Sequence, residues 1–358
     1  MKMRKNTMAC FLLTMSFLTS LSLNTNDLET QIENEVKSDI EFDFISYFQE
    51  DCTEKNSIGD LRWMVGGEGI RSLRSYWLHV PPDYSGSASV PLVIVLHGAT
   101  VFNIKNPFWF FTNSIMESYS GMSAKADQEG FIAVYPNAKL LLDKENSEGL
   151  FAYYVDFYPE DWLVGHNLID DEGFIRDLIE RMQEEYNIDQ KRIYLTGFSN
   201  GADFAYYLAT KFSDIVAAIA PVAGSIGAKN AEGQIYEIIP KPEKPVSVMV
   251  FHGTNDSLLP YERSNTRTSV NESVSFWVHA NVCNPEPIIY QSESGRIIRR
   301  TYENGNGGTE VILYSTVGGN HWWPGNNWGP EYEWLYDSIQ EISATDLMWD
   351  FFEEHPKQ

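Results

Sequence analysis

"RIYLTGFSNGADFAYYLATKF" (residues 192–212) passes from a β-rich apolar run into a helical pattern through the turn "GFSNG" (197–201). Because glycine has no Cβ, the two glycines let a strand and a helix approach closely around a strained turn that pushes the serine side chain outward. The helix that begins at Asn200 directs its N-terminal N–H groups toward the same point. A plain structural turn is the alternative, but the strand-to-helix context predicts that Ser199 is a nucleophile.

Short apolar runs alternate with amphipathic stretches on both sides of this turn. Continuous apolar runs are typical of strands that are buried on both faces of a parallel sheet. The pattern predicts strands at 74–82, 91–98, 130–136, 192–197, 215–224, 245–253, 296–302 and 309–315, and helices at about 114–128, 170–188, 200–212, 264–280 and 343–354. This alternation predicts an α/β fold with a doubly wound, mostly parallel sheet and helices on both faces.

A serine hydroxyl needs a general base, and the sequence offers seven histidines. His321 lies in the Gly-rich loop "TVGGNHWWPG" (316–325), after the last predicted strand. A side chain there can reach across the edge of the sheet, so we predict His321 as the base, with His279 as its rival.

The base in turn needs a carboxylate that fixes its tautomer. Asp256 follows a buried strand, at the edge where open α/β sheets place their sites. A turn-capping role is the alternative for Asp256. Ser199, Asp256 and His321 stand in the chain order nucleophile, acid, base, which is that of the α/β-hydrolase fold.

Acyl transfer also needs N–H donors for the developing oxyanion. The backbone N–H of Asn200, directly after the nucleophile, is predicted as one donor. The second is expected from the loop after the strand at 91–98, where Ala99 and Thr100 are the two candidates.

The composition excludes several classes of partner. The 358 residues carry 26 basic and 50 acidic side chains, a net charge of −24. Such a surface repels phosphate backbones and anionic membrane faces, so we expect no nucleic-acid partner. The sequence has no CxxC pair and no HExxH pattern, so it predicts neither a metal nor a cofactor.

The N-terminus predicts export. Three basic residues precede an apolar stretch, which indicates a signal peptide over residues 1–22; a membrane anchor is the alternative. Without its leader, the protein is expected outside the cytoplasm (secreted or periplasmic) and not stably inserted in a membrane. Residues 23–58 form a predicted acidic extension or linker, and 59–358 a catalytic domain.

Two features of the predicted catalytic domain stay open at this point. Residues 137–168 form a long aromatic insertion that is either a lid or cleft wall, or a satellite core. Cys52 and Cys283 remain after removal of the leader, either as a disulfide or as two thiols.

Together the motifs resemble a secreted esterase family that includes polyhydroxybutyrate depolymerases, feruloyl esterases and acetylxylan esterases. The motifs that carry the resemblance lie between residues 74 and 355: "PLVIVLHG", "GFIAVYP", "DDEGFIRDLI", "IDQKRIYLTGFSNGA", "AAIAPVAGS", "FHGTND" and "GGNHWWPG". The resemblance implies an α/β-hydrolase fold and ester hydrolysis through Ser199, Asp256 and His321. The expected substrate is an ester of an extracellular polymer; a peptidase of the same fold and a non-catalytic carbohydrate-binding relative are the alternatives.

Two features of the resemblance have structural alternatives. The acidic pair Asp170 and Asp171 resembles a feature of the family, but acidic residues are also ordinary caps of a helix. Trp322 adds a second ring before the family's Trp-Pro-Gly pattern. Trp322 and Trp323 are predicted either to line an acyl pocket or stack on a sugar, or to pack in the core.

Overall fold

The computed structural model describes residues 60–66, 72–103, 112–138, 140–143, 148–151, 153, 170–230, 232–262, 266–326, 337 and 339–358. The predicted leader (1–22) and acidic extension (23–58) lie outside these residues, as does most of the 137–168 insertion. The chain divides into two compact units, Met1–Trp63 and Met64–Gln358. The predicted start of the catalytic domain at residue 59 stays a prediction.

Fifteen strands lie in the described part of the chain. They are β1 (Asp60–Gly66), β2 (Ser72–His79), β3 (Val90–Leu96), β4 (Thr100–Asn103), β5 (Ile132–Pro136), β6 (Leu140–Asp143), β7 (Glu148–Phe151), β8 (Ile188–Phe198), β9 (Ala218–Val222), β10 (Gly227–Lys229), β11 (Ile235–Ile238), β12 (Ser247–Gly253), β13 (Ile288–Gln291), β14 (Ile297–Tyr302) and β15 (Val311–Thr316).

Ten of these strands form the main sheet, in the order β1-β2-β5-β3-β8-β9-β12-β15-β14-β13. The six strands from β5 to β15 in this order run parallel to their neighbours. Strands β2, β14 and β13 pair antiparallel at the flanks. The predicted mostly parallel sheet is therefore confirmed.

In the described part of the chain, six α-helices accompany the sheet: α1 (Thr112–Ser120), α2 (Met122–Glu129), α3 (Asp171–Glu185), α4 (Asn200–Lys211), α5 (Val270–Asn281) and α6 (Ala344–Glu354). The single helix predicted at 114–128 is two helices, because Gly121 adopts a left-handed φ of 65° between them. Helix α5 begins at Val270, later than predicted. Its start is fixed by a capping box in which Ser269 and Glu272 exchange hydrogen bonds.

Both faces of the sheet are buried, as a doubly wound fold requires. Along β3, Leu92, Ile94 and Leu96 belong to one apolar cluster, and Val93 and Val95 belong to another. Side chains of α3, α4 and α5 complete the first cluster, and side chains of α1, α2 and α6 complete the second. The alternation of β3 side chains therefore places three helices on each face.

The acidic pair Asp170 and Asp171 has structural contacts at the start of α3. The carboxylate of Asp170 caps α3 by accepting a hydrogen bond from the N–H of Gly173 (2.7 Å). Asp171 forms a buried ion pair with Arg74, whose guanidinium also lies 4.2 Å from the centre of the Phe174 ring. The pair thus connects the start of α3 to β2, in agreement with the structural alternative.

Short-range patterns do not reveal the smaller elements. Strands β4, β7 and β6 form a three-stranded antiparallel sheet, and β10 pairs with β11. Two strands of the 137–168 insertion, β6 and β7, therefore form a sheet with β4, which begins at Thr100 of the candidate oxyanion loop. Of the helices described here, none is both long and apolar enough to cross a membrane.

Cys283 is a free thiol in this structure, and it is buried. Burial, aided by the charge of Glu310, raises the pKa of the Cys283 thiol to about 11. Cys52 lies outside the described residues.

Candidate active site

Ser199 occupies a strained turn at the carboxyl end of the central strand β8. Its φ of 56° and ψ of −120° are rare for a residue with a side chain. The backbone N–H of Ser199 donates to the carbonyl oxygen of Val222, at the end of the neighbouring β9 (2.9 Å). This bond fixes the turn to the sheet, so the predicted strand–turn–helix setting of Ser199 is observed.

The two glycines of the motif are required by the close approach of helix α4 to the sheet. A Cβ on Gly197 would lie 2.3 Å from the carbonyl oxygen of Gly201. A Cβ on Gly201 would lie 2.4 Å from the carbonyl oxygen of Leu96 and 2.5 Å from that of His97. Both contacts are with backbone atoms, which cannot move aside as a flexible side chain can.

Gly201→Ala is therefore expected to lower the free energy of unfolding by about 3 kcal/mol, through overpacking against the backbone of β3. Gly233→Ala is the control, since its φ is +77° but, apart from its chain neighbours, no heavy atom of the described residues lies within 4 Å of the added Cβ. The control should lose only about 1 kcal/mol from left-handed strain. Urea denaturation of both variants measures the difference, and equal losses would contradict the close approach at Gly201.

Asp256 and His321 form a buried hydrogen-bonded pair. The Nδ1 atom of His321 lies 2.7 Å from Oδ2 of Asp256, and the two residues are 5% and 4% exposed. Because an ionised carboxylate only accepts, Nδ1 carries the proton and donates it to Asp256. The His321 ring lies 4.8 Å from the ring of Phe198, the residue directly before Ser199, measured between ring centres. Since Nδ1 bonds to Asp256, Nε2 is the nitrogen of His321 that is the candidate base.

The loops that carry the acid and the base are joined by backbone contacts. The N–H of Asn255 donates to the carbonyl oxygen of Gly319 (2.8 Å), and the side-chain amide of Asn255 donates to Oδ1 of Asn320 (3.1 Å). Gly253 makes room for this approach, since a Cβ there would lie 2.3 Å from the carbonyl oxygen of Asn320. Because β12 and β15 are neighbours in the sheet, the two loops begin side by side.

Four donors surround the carboxylate of Asp256. Oδ1 accepts the N–H groups of Leu258 (2.9 Å) and Leu259 (2.8 Å), while Oδ2 faces His321 and also Nε2 of His252 at 3.3 Å. Burial alone raises the pKa of Asp256, but hydrogen bonds from His252 and His321, together with their charge, lower it below its ordinary value. Asp256 therefore stays ionised. The two bonds from backbone N–H groups are those expected of a residue that caps a turn. Asp256 therefore caps the turn and also bonds to His321.

The candidate oxyanion loop lies against the Ser199 turn. A Cβ on Gly98 would lie 3.3 Å from Cβ of Ser199. Ala99 follows, and Thr100 begins β4, where it pairs with Phe151 of β7. The structure thus brings this loop to Ser199.

Asn200 adds a second connection between the nucleophile turn and the small sheet. Its side-chain oxygen accepts the N–H of Tyr153 (2.8 Å), and its side-chain amide donates to the carbonyl oxygen of Tyr153 (3.0 Å). Tyr153 follows β7, which pairs with β4. This contact joins the element that begins at Thr100 to the turn that carries Ser199. No feature of the local sequence predicts it.

His97 braces the start of the candidate oxyanion loop. Its Nε2 accepts the N–H of Ala138 (3.0 Å), so Nδ1 carries the proton and donates to the carbonyl oxygen of Gly98 (2.8 Å). Burial, with the positive charge of Arg74, lowers the pKa of His97 to about 4, although the bond to Gly98 opposes the shift. His97 is therefore neutral at pH 7, and its two hydrogen bonds brace the loop.

His97 is expected to make the protein sensitive to acid. Between pH 6.5 and 4 the unfolded chain binds a proton at this position that the folded protein excludes, so the free energy of unfolding falls as the pH falls. The loss amounts to about 3 kcal/mol at pH 4, at about 1.4 kcal/mol per pKa unit. Urea denaturation at a series of pH values measures the free energy of unfolding. Its fall between pH 6.5 and 4 should be smaller in His97→Gln than in the wild type by that amount. Equal losses in both proteins would contradict a neutral, buried His97.

The other described histidines have structural contacts. The rival base His279 is on helix α5, where Nδ1 contacts the carbonyl oxygen of Ser275 (2.6 Å). His79 pairs with Asp127, and His355 lies near Glu310. His166 lies outside the described residues. His321 is therefore the described histidine whose ring lies against Phe198 and bonds to Asp256.

The two tryptophans after His321 are both buried but have different contacts. Trp323 is 1% exposed, belongs to an apolar core cluster and donates through Nε1 to the hydroxyl of Thr345 (3.0 Å). These contacts are those of the core-packing alternative. Trp322 is 4% exposed, and its indole N–H has no hydrogen-bond partner among the described residues.

The described residues can also be searched for a group of metal ligands. Within the described ranges, no cluster of three or more His, Cys, Asp or Glu side chains is placed to hold a metal ion.

Comparison with known proteins identifies esterases as relatives. The family model described as "Dienelactone hydrolase family" matches residues 108–281. The bifunctional acetylxylan esterase/xylanase XynS20E of Neocallimastix patriciarum is 29% identical over 52% of this chain, and feruloyl esterase B of Piromyces equi is 30% identical over 42%. The matched stretches cover 22% and 29% of those proteins, so this chain spans less than a third of either.

A longer match is poly(3-hydroxyalkanoate) depolymerase C of Paucimonas lemoignei, which is 25% identical over 69% of this chain and 58% of the depolymerase. Among solved structures, an acetyl xylan esterase from Aspergillus awamori superimposes with a TM-score of 0.50 over 82% of this chain and 100% of that one, at 15% identity. The latter likeness supports the α/β-hydrolase fold. The family resemblance predicted from the motifs is confirmed, since the homologues include carboxylic ester hydrolases.

Proposed function

We propose that this chain, an α/β-hydrolase with polyester- and hemicellulose-ester hydrolases among its homologues, hydrolyses carboxylic esters through Ser199, His321 and Asp256. The observation that carries the proposal is the 2.7 Å hydrogen bond between His321 and Asp256 beside the strained turn of Ser199. A base whose tautomer is fixed by a buried carboxylate, next to a strained serine, has the chemistry of acyl transfer.

In the proposed mechanism, Ser199 Oγ attacks the ester carbonyl carbon while Nε2 of His321 takes the hydroxyl proton. Asp256 stabilises the imidazolium that forms. The backbone N–H of Asn200, with that of Ala99 or Thr100, binds the tetrahedral oxyanion. As the first residue of α4, Asn200 has an N–H that the hydrogen-bond ladder of the helix itself does not use.

The intermediate then collapses in the usual order of a double displacement. His321 protonates the leaving alcohol as the C–O bond breaks, which leaves Ser199 acylated. Water attacks this acyl-enzyme with His321 again as base, and the carboxylic acid departs as Oγ recovers its proton. The products are one alcohol and one carboxylic acid, with no cofactor consumed.

The proposed substrate is an ester of an extracellular polymer: an aromatic or acetyl ester on hemicellulose, or a polyhydroxyalkanoate. The names of the relatives support this class, as does the predicted leader at 1–22, which suits a protein that acts outside the cytoplasm. Trp322 is proposed as a pocket side chain because its buried indole N–H has no partner among the described residues.

The proposal is tested by product release from methyl ferulate, acetylated xylan and a short hydroxybutyrate oligomer, with a peptide p-nitroanilide as the peptidase control. We expect hydrolysis of at least one ester and none of the anilide. Preferential cleavage of the anilide would favour a peptidase. Binding of xylan without release from any substrate would favour the carbohydrate-binding alternative.

A further inference from the structure

A second imidazole contacts the carboxylate of Asp256. His252 lies on β12, four residues before Asp256, and is 3% exposed. Its Nε2 is 2.8 Å from the carbonyl oxygen of Leu259 and 3.3 Å from Oδ2 of Asp256. Both oxygens can only accept, so Nε2 carries a proton and is shared between the two.

His252 and His321 therefore meet at one oxygen. Oδ1 of Asp256 is held by two backbone N–H groups, whereas Oδ2 receives His321 at 2.7 Å and His252 at 3.3 Å. The shorter bond belongs to the candidate base. The bond from His252 to Leu259 also closes the turn from 256 to 259, whose N–H groups hold Oδ1.

We infer that His252 is a positioning residue for the proposed reaction: it holds the Asp256 carboxylate toward His321 and withdraws negative charge from the oxygen that the base uses. The inference rests on the proposed function. A donor on the shared oxygen also spreads its negative charge, so a variant without that donor leaves more of the charge facing the His321 ring.

The surroundings of His252 leave few other groups that titrate or carry charge. The ring of Tyr261 lies edge-on at 5.9 Å between ring centres, and the Tyr261 hydroxyl pairs with Oγ of Ser315 (2.6 Å). Arg300 donates to Oγ of Ser315 (3.2 Å). Ser315 therefore separates the Arg300 guanidinium from Tyr261, the neighbour of His252. On the other ring nitrogen, Nδ1 has no hydrogen-bond partner among the described residues.

Because Nε2 of His252 is hydrogen-bonded and Nδ1 is not bonded to any described residue, two amide variants can separate the two positions. In His252→Gln the amide nitrogen takes the place of Nε2 and keeps a neutral donor toward Leu259 and Asp256. In His252→Asn the shorter amide reaches only as far as Nδ1, so that donor is lost. Both variants replace one ring by one amide.

The experiment compares the pH dependence of kcat/KM for p-nitrophenyl acetate in the full-length wild type and both variants, with thermal melts as the check of folding. For His252→Asn we expect kcat/KM to fall about 10- to 100-fold, because a displaced acid misplaces the base. The acid limb of the pH profile should shift upward, because the charge freed on Asp256 favours the protonated form of the base. His252→Gln should stay within about threefold of wild type, with its acid limb unmoved.

A role in stability alone would lower the melting temperature of His252→Asn without moving its acid limb, and that result would overturn the inference. A wild type that does not hydrolyse the ester would overturn the proposed function and this inference with it. If the wild type hydrolyses the ester and His252→Asn has the same kcat/KM and the same acid limb, this inference alone would be overturned.

A measurement on the unmutated protein covers the case in which His252→Asn does not fold. The protein is labelled with nitrogen-15 histidine and its ring signals are recorded by NMR. The signals that are missing in His252→Gln belong to His252, and we expect them to show a proton on Nε2 at pH 7. A ring protonated at Nδ1 alone cannot donate to Asp256 and would overturn the inference.

Discussion

Ser199→Ala is expected to reduce ester hydrolysis by about 10⁵- to 10⁶-fold, the loss that removal of the nucleophile causes in a serine hydrolase. The fold should survive, since the change removes a single oxygen and leaves the backbone bond from Ser199 to Val222 in place. Initial rates on the best ester of the substrate panel measure the effect.

Ser225→Ala is a matched control for this prediction. Ser225 is buried, and its hydroxyl has no hydrogen-bond partner among the described residues, so its removal should cost little activity or stability. A well-folded Ser199→Ala protein that retains more than a few per cent of the wild-type rate would remove the serine from its proposed role.

Asp256→Asn is expected to lower kcat by about 10⁴-fold, because an amide in this position stabilises the wrong tautomer of His321 and cannot balance the imidazolium charge. The pKa of Asp256 lies below its ordinary value, so the carboxylate is ionised in neutral and mildly acidic assays. The effect should therefore persist across that range of pH.

The chain offers a second His–Asp contact as the control for this variant. Oδ1 of Asp127 lies 2.7 Å from Nε2 of His79, the same distance as in the Asp256–His321 pair. Asp127→Asn should leave kcat unchanged. Similar losses in the two variants would indicate a general effect on stability and would contradict a special role for Asp256.

The sequence predicts the centre of the site well because its signals are local. The glycines around Ser199 report a close approach of helix and strand, and the strands at 245–253 and 309–315 predict where Asp256 and His321 leave the sheet. The hydrogen bond between these two side chains follows from the adjacency of β12 and β15.

Contacts between residues that are far apart in the sequence cannot be predicted from such local signals. The small sheet joins residues of β4 and β7 that are 45 to 51 positions apart, and Tyr153, the partner of Asn200, follows β7. The spacing of His252 and Asp256 is visible in "HGTND", but it does not reveal that both histidines share one carboxylate oxygen. The late start of α5 had a readable signal, the capping box at Ser269 and Glu272.

The reactivity of Ser199 is the central claim, and covalent trapping tests it most directly. The folded protein is treated with a fluorophosphonate, which phosphonylates a serine only where a neighbouring base activates it, and the modified peptide is then located by mass spectrometry. We expect one adduct on Ser199, and its loss in a His321→Ala variant that still melts cooperatively. A folded wild type that does not react, or that carries its adduct on another residue, would contradict the account.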